Sequence, residues 1–326
     1  MHVAFALPSP VRTGGGHGLA YAEAMAAGLH ALGHTADILQ GDDPRWPPGA
    51  LPVIDGLLLP RLLHRLDELA ASGAVALVHH ALAAAGRDDA SRAAVTAQMQ
   101  AMLPKMRRVV ATSQPVADQL RESFGRQDVR VVRPGMADRP RSMASGPSCT
   151  ILSIGVLTPR KGHDRLLRAM ARLGDLDWSL TIAGASGRDP GFEAALADLI
   201  PDLGLAHRVR LERNPSPAVL EEAWQQAALF ASATLWEGYA AGVAEALRRG
   251  VPVVVTESGG ASVPAVAGAV CPADDAPTFS KVLRRMVFDR SLRAAMAEAA
   301  WLAGQALPSW DKQVGLFADA LFDEGD

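Results

Sequence analysis

The chain has 326 residues, room for two domains at roughly 150 residues each, and its 49% hydrophobic and 21% charged residues are those of a folded globular protein. A formal net charge of −3 supplies no general attraction for nucleic acid, so nucleic-acid binding is not expected. Two cysteines, Cys149 and Cys271, are too few for a disulfide framework or a four-ligand zinc site, and no apolar run approaches the roughly 18 residues of a spanning helix, so a reducing cytoplasm is the expected compartment.

In chain order, the opening MHVAFALPSP has no Lys or Arg ahead of its short apolar run and reads as a first strand, not a signal peptide. A glycine-rich turn then leads into a helix from about Leu19 to Leu32, which Gly33 closes. The runs TADILQ, LPVIDGLLL, VALVHH, RVVATS and VRVVRP follow as strands, with helical segments around Pro60–Ser72, Ala90–Leu103 and Pro115–Phe124. Alternation of short β-rich runs with longer helical ones is the signature of parallel sheets built from βαβ units.

The polar stretch Pro140–Ser148 holds two prolines and a glycine and reads as an interdomain linker. Beyond it CTILSIG, WSLTIAG, RVRLERN, ALFASAT and PVVVTES predict a second open α/β sheet, and Trp310–Phe322 a last helix. Both halves are expected to be doubly wound, because parallel neighbours need right-handed crossovers. The Asp175-Leu176-Asp177 triplet sits between a helix and a strand start and reads as a turn, not a metal site.

Ligands of such sheets bind beyond the carboxyl ends of strands, and four stretches there can carry chemistry. Gly14, Gly15 and Gly16, between the first strand and first helix, suit a phosphate or carboxylate, with a plain flexible turn as the alternative. Arg160 and Lys161 follow the first strand of the second half; Arg offers a fork and Lys a point charge to a diphosphate, unless they form only a solvated basic turn. Glu237 and Glu245 bracket Gly238, Tyr239, Ala240, Ala241 and Gly242, small residues for the most part, whose backbone N–H groups can face phosphate while the two carboxylates accept from sugar hydroxyls. The alternative makes Glu237 a capping acid and Glu245 a surface residue. His79 and His80 end VALVHH, where either can donate to a phosphate or sugar oxygen or simply satisfy a structural hydrogen bond.

Taken in order, these stretches resemble the retaining glycosyltransferases of family 4, the group 1 glycosyl transferases of GT-B type. The resemblance rests on Gly155–Asp164 with its Lys-Gly, on the Glu-x7-Glu of Glu237 and Glu245 followed by Ala-Leu-x-x-Gly-Val-Pro-Val-Val, and on Gly14–His34 and Val109–Gly135. It implies two Rossmann-like domains facing across a cleft: residues 1–145 for the acceptor, with 308–326 packing back on them, and 146–307 for a nucleotide-sugar donor. By it Lys161, helped by Arg160, holds the donor diphosphate. Glu237 contacts the transferred sugar, Glu245 binds the ribose, and the backbone around Tyr239–Gly242, with the loop Glu257–Gly260, completes the cradle. Lys161, Glu237 and His79 are then the catalytic residues.

The implied reaction retains anomeric configuration and uses neither a metal nor a resident cofactor. The expected acceptor is a glycan, a lipid-linked sugar or a small molecule. Cations in Pro60–Leu66 and Lys105–Arg108 lead to an expectation of peripheral contact with the inner membrane face if the acceptor is lipid-linked. Departures from the family pattern are Val156, where an Arg is usual, the Ala-Leu-Ala-Ala-Ala-Gly after His80, and Ala261 after the glycine pair. They leave room for a catalytically silent nucleotide-sugar-binding or scaffold protein, and for a nucleotide-sugar epimerase of the same architecture.

Overall fold

The computed structural model describes residues 1–9, 17–80, 89–144, 148–258 and 263–323. The expected anion loop Gly14–Gly16, the pair Gly259–Gly260 and the centre of the expected linker, residues 145–147, lie outside the described residues. The described chain divides into two compact units, one of residues 1–9, 17–135 and 308–323, the other of residues from 136 to 307.

The first unit carries β1 (His2–Leu7), α1 (His17–Ala31), β2 (Thr35–Gln40), β3 (Leu51–Asp55), α2 (Leu66–Ala71), β4 (Val75–Val78), α3 (Asp89–Met102), β5 (Arg108–Ala111), α4 (Gln114–Phe124) and β6 (Val129–Val131). Its six strands lie in the order β2-β1-β3-β4-β5-β6, and every pair is parallel. Strands buried on both faces read as unbroken apolar runs, which is why HVAFAL and VALV are strands although nothing in them alternates. The residues Leu57–Leu59, which read as the end of the third strand, instead lie beyond β3 and lead into a 3-10 helix at Leu59–Arg65, since Pro60 pre-sets a helical φ at its start. The last helix, α11 (Trp310–Phe322), packs on α1 at Gly28, where a Cβ would sit 2.3 Å from Val314 Cγ2; Phe317 stacks on Phe5 with ring centroids 5.8 Å apart.

The second unit runs β7 (Cys149–Ile154), α5 (His163–Ala171), β8 (Trp178–Gly184), α6 (Pro190–Asp202), β9 (Val209–Arg213), α7 (Pro217–Gln226), β10 (Leu229–Ser232), α8 (Ala241–Arg248), β11 (Val253–Thr256), β12 (Gly268–Cys271), α9 (Ala276–Phe288) and α10 (Arg290–Gln305). Its parallel sheet has the order β12-β11-β10-β7-β8-β9. Strand β12 is absent from the sequence reading: Gly268-Ala269-Val270-Cys271 is short and half exposed, an edge strand defined by its pairing with β11.

The boundary between the units also differs from the expected 145/146. Residues 136–144 belong to the second unit because α7 and α8 hold them there: Ser142 N donates to Arg249 O at 2.9 Å, Ser142 Oγ to Ala227 O at 2.7 Å, and Met143 N to Gln225 O at 2.9 Å. Polar, proline-containing composition signals a surface segment, but it does not say which body supplies the hydrogen bonds.

Candidate functional site

The order of the second sheet places its topological switch between β7 and β10, whose outgoing connections run in opposite directions and open a crevice beyond their carboxyl ends. The two motifs that follow these strands therefore meet. After β7, a single 3-10 turn, Pro159–Lys161, ends at Gly162 in the left-handed region, with φ 63°. A Cβ there would lie 2.0 Å from Ala233 O, so only glycine lets the β7 loop rest against the exit of β10. Leu235 N donates to Arg160 O at 2.9 Å, and Glu237 N to Ser258 O at 2.7 Å, tying the β10 loop to its neighbours on both sides.

Lys161 runs its stem along Gly155 and donates from Nζ to Glu237 Oε1; their side chains are 9% and 12% exposed. Arg160 Nη1 donates to Trp236 O at 2.5 Å and lies 3.5 Å from Glu237 Oε2. Burial holds the Lys161 ammonium below the ordinary lysine range and Arg160 adds to the effect, while Glu237 opposes it. Two cations thus face the Glu237 carboxylate beyond the ends of β7 and β10. Beneath them the buried His163 has Nε2 3.2 Å from Gly155 O, and burial pushes its imidazole down to about 4, with the nearby ammonium contributing.

Helix α8 starts at Ala241 behind Gly238, Tyr239 and Ala240, and Ala240 caps it without a side-chain hydrogen bond. Ala241 N donates to Tyr239 O at 2.9 Å, and the next two amides of the first turn, those of Gly242 and Val243, are the ones that face an anion with the helix dipole behind them. Gly242 packs on the Phe230 ring of β10. Glu245, one turn further along, pairs with Arg249 and Arg139: Arg249 Nε donates to Oε1 at 2.9 Å, and Arg139 Nε lies 3.1 Å from the same oxygen. It is not a free surface residue, nor does it join the Lys161–Glu237 cluster.

In the first sheet the switch lies between β1 and β3. His79, just past β4, is buried with its Nε2 3.8 Å from Oδ2 of Asp55 at the end of β3; both side chains are 6% exposed. That separation allows a charge interaction without a direct hydrogen bond. Asp55 Oδ1 accepts from Leu57 N at 2.7 Å, yet burial outweighs this and pushes the carboxyl up to about 6. Tyr21 meets the His79 ring edge-on at 5.2 Å. Asp55 is absent from the sequence-level set because it ends an apolar run and looks like a strand residue. The available signal was an Asp-Gly closing a strand next to the switch.

The cations of Pro60–Leu66 are largely committed within the protein. Arg65 is buried and forks onto Glu68, with a further bond to Asp43 Oδ1 at 2.8 Å, and Arg61 pairs with Asp42. Among the described residues no helix is long and apolar enough to cross a membrane, and no three His, Cys, Asp or Glu side chains are grouped to hold a metal ion.

Curated relatives include the D-inositol 3-phosphate glycosyltransferases of Thermobifida fusca, 32% identical over 241 residues (66% of this chain and 55% of the relative), and Nocardiopsis dassonvillei, 29% identical over 219 residues (59% and 50%). The chain spans about half the length of the curated relatives it matches. Among solved structures, sucrose-phosphate synthase from Thermosynechococcus elongatus superposes with a TM-score of 0.83 at 18% identity, covering 99% of this chain and 100% of the other. Anabaena HepE in complex with UDP and glucose superposes at 0.75 and 15% identity, covering 98% and 99%. These likenesses show the fold, the two-domain α/β architecture of GT-B proteins. Residues 138–301, half of the chain and almost all of the second unit, match the family model described as glycosyl transferases group 1, and the chain belongs to that family.

Proposed function

We propose that the chain is a glycosyltransferase that moves a sugar from a nucleoside-diphosphate sugar to an acceptor hydroxyl, with retention of anomeric configuration and with no metal ion. The cluster of Lys161, Arg160 and Glu237 at the β7/β10 switch carries this reading. Family membership and the curated relatives' name, D-inositol 3-phosphate glycosyltransferase, support it.

In this reading the donor diphosphate takes over the two cations. Lys161 and Arg160 exchange one Glu237 carboxylate for phosphate oxygens, and the first-turn amides of α8 add their dipole. Glu237, released from Lys161, accepts hydrogen bonds from the transferred sugar and faces the positive charge that develops at its anomeric carbon. The bond from that carbon to the phosphate oxygen breaks, the acceptor oxygen bonds on the same face, and its proton passes to the departing phosphate. Stabilising the leaving group is the protein's main contribution, and side-chain cations supply the charge that a divalent ion would otherwise bring. Glu245 binds the ribose. In the first unit His79 donates to a sugar or phosphate oxygen, with the Asp55 carboxyl 3.8 Å from its Nε2.

UDP-, GDP- and ADP-sugars tested with glycan, lipid-linked and inositol phosphate acceptors examine this directly. Transfer is expected from at least one donor, unchanged by a chelator, with the product's anomeric configuration matching the donor's by NMR. Equal rates in wild type, Glu237→Gln and Lys161→Ala would remove these residues from the mechanism. Conversion of donor without acceptor would identify an epimerase, and a nucleotide-induced rise in melting temperature without turnover would identify a silent binding protein. Retention of the protein on floated anionic vesicles would establish the peripheral membrane contact expected with a lipid-linked acceptor.

A further inference from the structure

Arg249 is the largest fully buried side chain among the described residues, with 2% of its side chain exposed. Taking a guanidinium out of water is expensive unless its donors are used. Its donors are spent on two helices. Nη1 and Nη2 fork onto the Glu221 carboxylate of α7 at 2.8 and 2.5 Å, and Nε donates to Glu245 Oε1 at 2.9 Å. Trp224 lies beside the guanidinium, its ring centre 5.6 Å from Cζ, and is stacked on Phe230, the ring against which Gly242 of α8 packs.

The Glu221 fork alone would join α7 to α8. The third bond goes to Glu245, and Arg139 reaches the same Oε1 at 3.1 Å. Among the described residues no hydrogen bond reaches Oε2. One carboxylate oxygen is thus clamped by two cations while the other keeps its acceptor capacity.

We infer that Arg249 is a positioning residue for the donor nucleotide: anchored by Glu221, it locks Glu245 through Oε1 so that Oε2 is presented to the ribose hydroxyls. This rests on the proposed donor site. Lysine cannot replace Arg249, because an ammonium cannot fork onto Glu221 and reach Glu245 together.

The test compares binding of UDP, GDP and ADP with binding of their 2′,3′-dideoxy forms, by calorimetry. Wild type is expected to favour one ribonucleotide over its dideoxy form by about ten- to hundredfold, the worth of hydrogen bonds to a charged acceptor. Glu245→Gln and Arg249→Met should each bring that ratio below about threefold and leave dideoxy affinity unchanged. The double variant should add nothing to Glu245→Gln, since both act through one contact. Arg249→Lys should behave like Arg249→Met, and Glu221→Gln, which leaves the buried cation in place, serves if Arg249→Met does not fold. An Arg249 variant that weakens ribo and dideoxy forms equally, or keeps the wild-type ratio, overturns the positioning role. If Glu245→Gln keeps the ratio, the ribose assignment falls with it, and wild type that binds none of the six nucleotides overturns the donor site itself.

Discussion

The crevice after β7 and β10 lies at the switch in strand order of one parallel sheet, and the ends of β3 and β4 lie one strand to the side of the switch of the other, between β1 and β3; both take an acid out of water. The second unit does so with counter-ions: Glu237 is held by Lys161 and Arg160. The first unit gives Asp55 one backbone N–H and a histidine 3.8 Å away, and burial then raises its carboxyl to about 6. An acid buried against cations is poised to exchange partners with an incoming anion. An acid buried with little compensation is poised to change protonation near neutrality.

The sharpest way to break this contrast is to remove the cation. Lys161→Ala is expected to lower sugar transfer roughly 100- to 1000-fold, the effect of losing one preorganised group that faces developing charge. Steady-state rates measure it. A loss confined to KM would assign Lys161 to ground-state binding only.

The second prediction concerns His163, beneath the same cluster. Its folded value, about 4, lies below the ordinary 6.5, so the unfolded chain takes up the proton first on acidification. The stability this contributes is complete above pH about 6.5 and is lost as pH falls through about 4, a difference of about 3 kcal/mol. Urea unfolding between pH 7 and 4 should therefore show a fall in wild type that His163→Gln flattens.

Asp55 has the opposite sign. Its folded value of about 6 lies above the ordinary 3.8, so the folded state keeps the proton longer, and that contribution is complete below 3.8 and lost as pH rises through about 6. Asp55→Asn, which still accepts from Leu57 N–H, is expected to gain stability relative to wild type across this window, reaching about 3 kcal/mol near pH 7. Unfolding midpoints of the two proteins that stay parallel with pH would show that Asp55 is not buried in its charged form.

The smallest effect belongs to Arg160. At 37% side-chain exposure it is partly screened by water, so Arg160→Gln should cost about three- to tenfold in transfer, and less as salt is raised. A loss as large as that of Lys161→Ala would mean that the two cations act as one unit.

Much of this arrangement was legible without coordinates. The central strands of the two sheets announce themselves because parallel strands covered on both faces are largely apolar, and the Lys161, Glu237 and Glu245 stretches follow such strands at spacings that place them at sheet ends and on a helix. Other features were not legible. Strand β12 lies in a run of mostly small residues, Ala265–Cys271, without the β-branched or aromatic enrichment of a strand, and exists by pairing with β11. Asp55 reads as the tail of a strand until the strand order sets it beside His79. Arg249 reads as one of two adjacent arginines at a helix end, both buried, with nothing local to say that Arg249 turns to Glu221 while Arg248 turns to Gly304 O.

The sequence by itself determined that the chain alternates strand and helix twice, and which loops carry cations, acids and glycines, because those properties depend on residue type and on near neighbours along the chain. Only the tertiary structure decided which charges meet. Glu237 pairs with Lys161 across 76 positions, and Arg249 with Glu221 across 28, because parallel sheets bring distant strand ends and helices together. It also decided that residues 136–144 belong to the second unit, since hydrogen bonds to α7 and α8, and not their polar composition, hold them there.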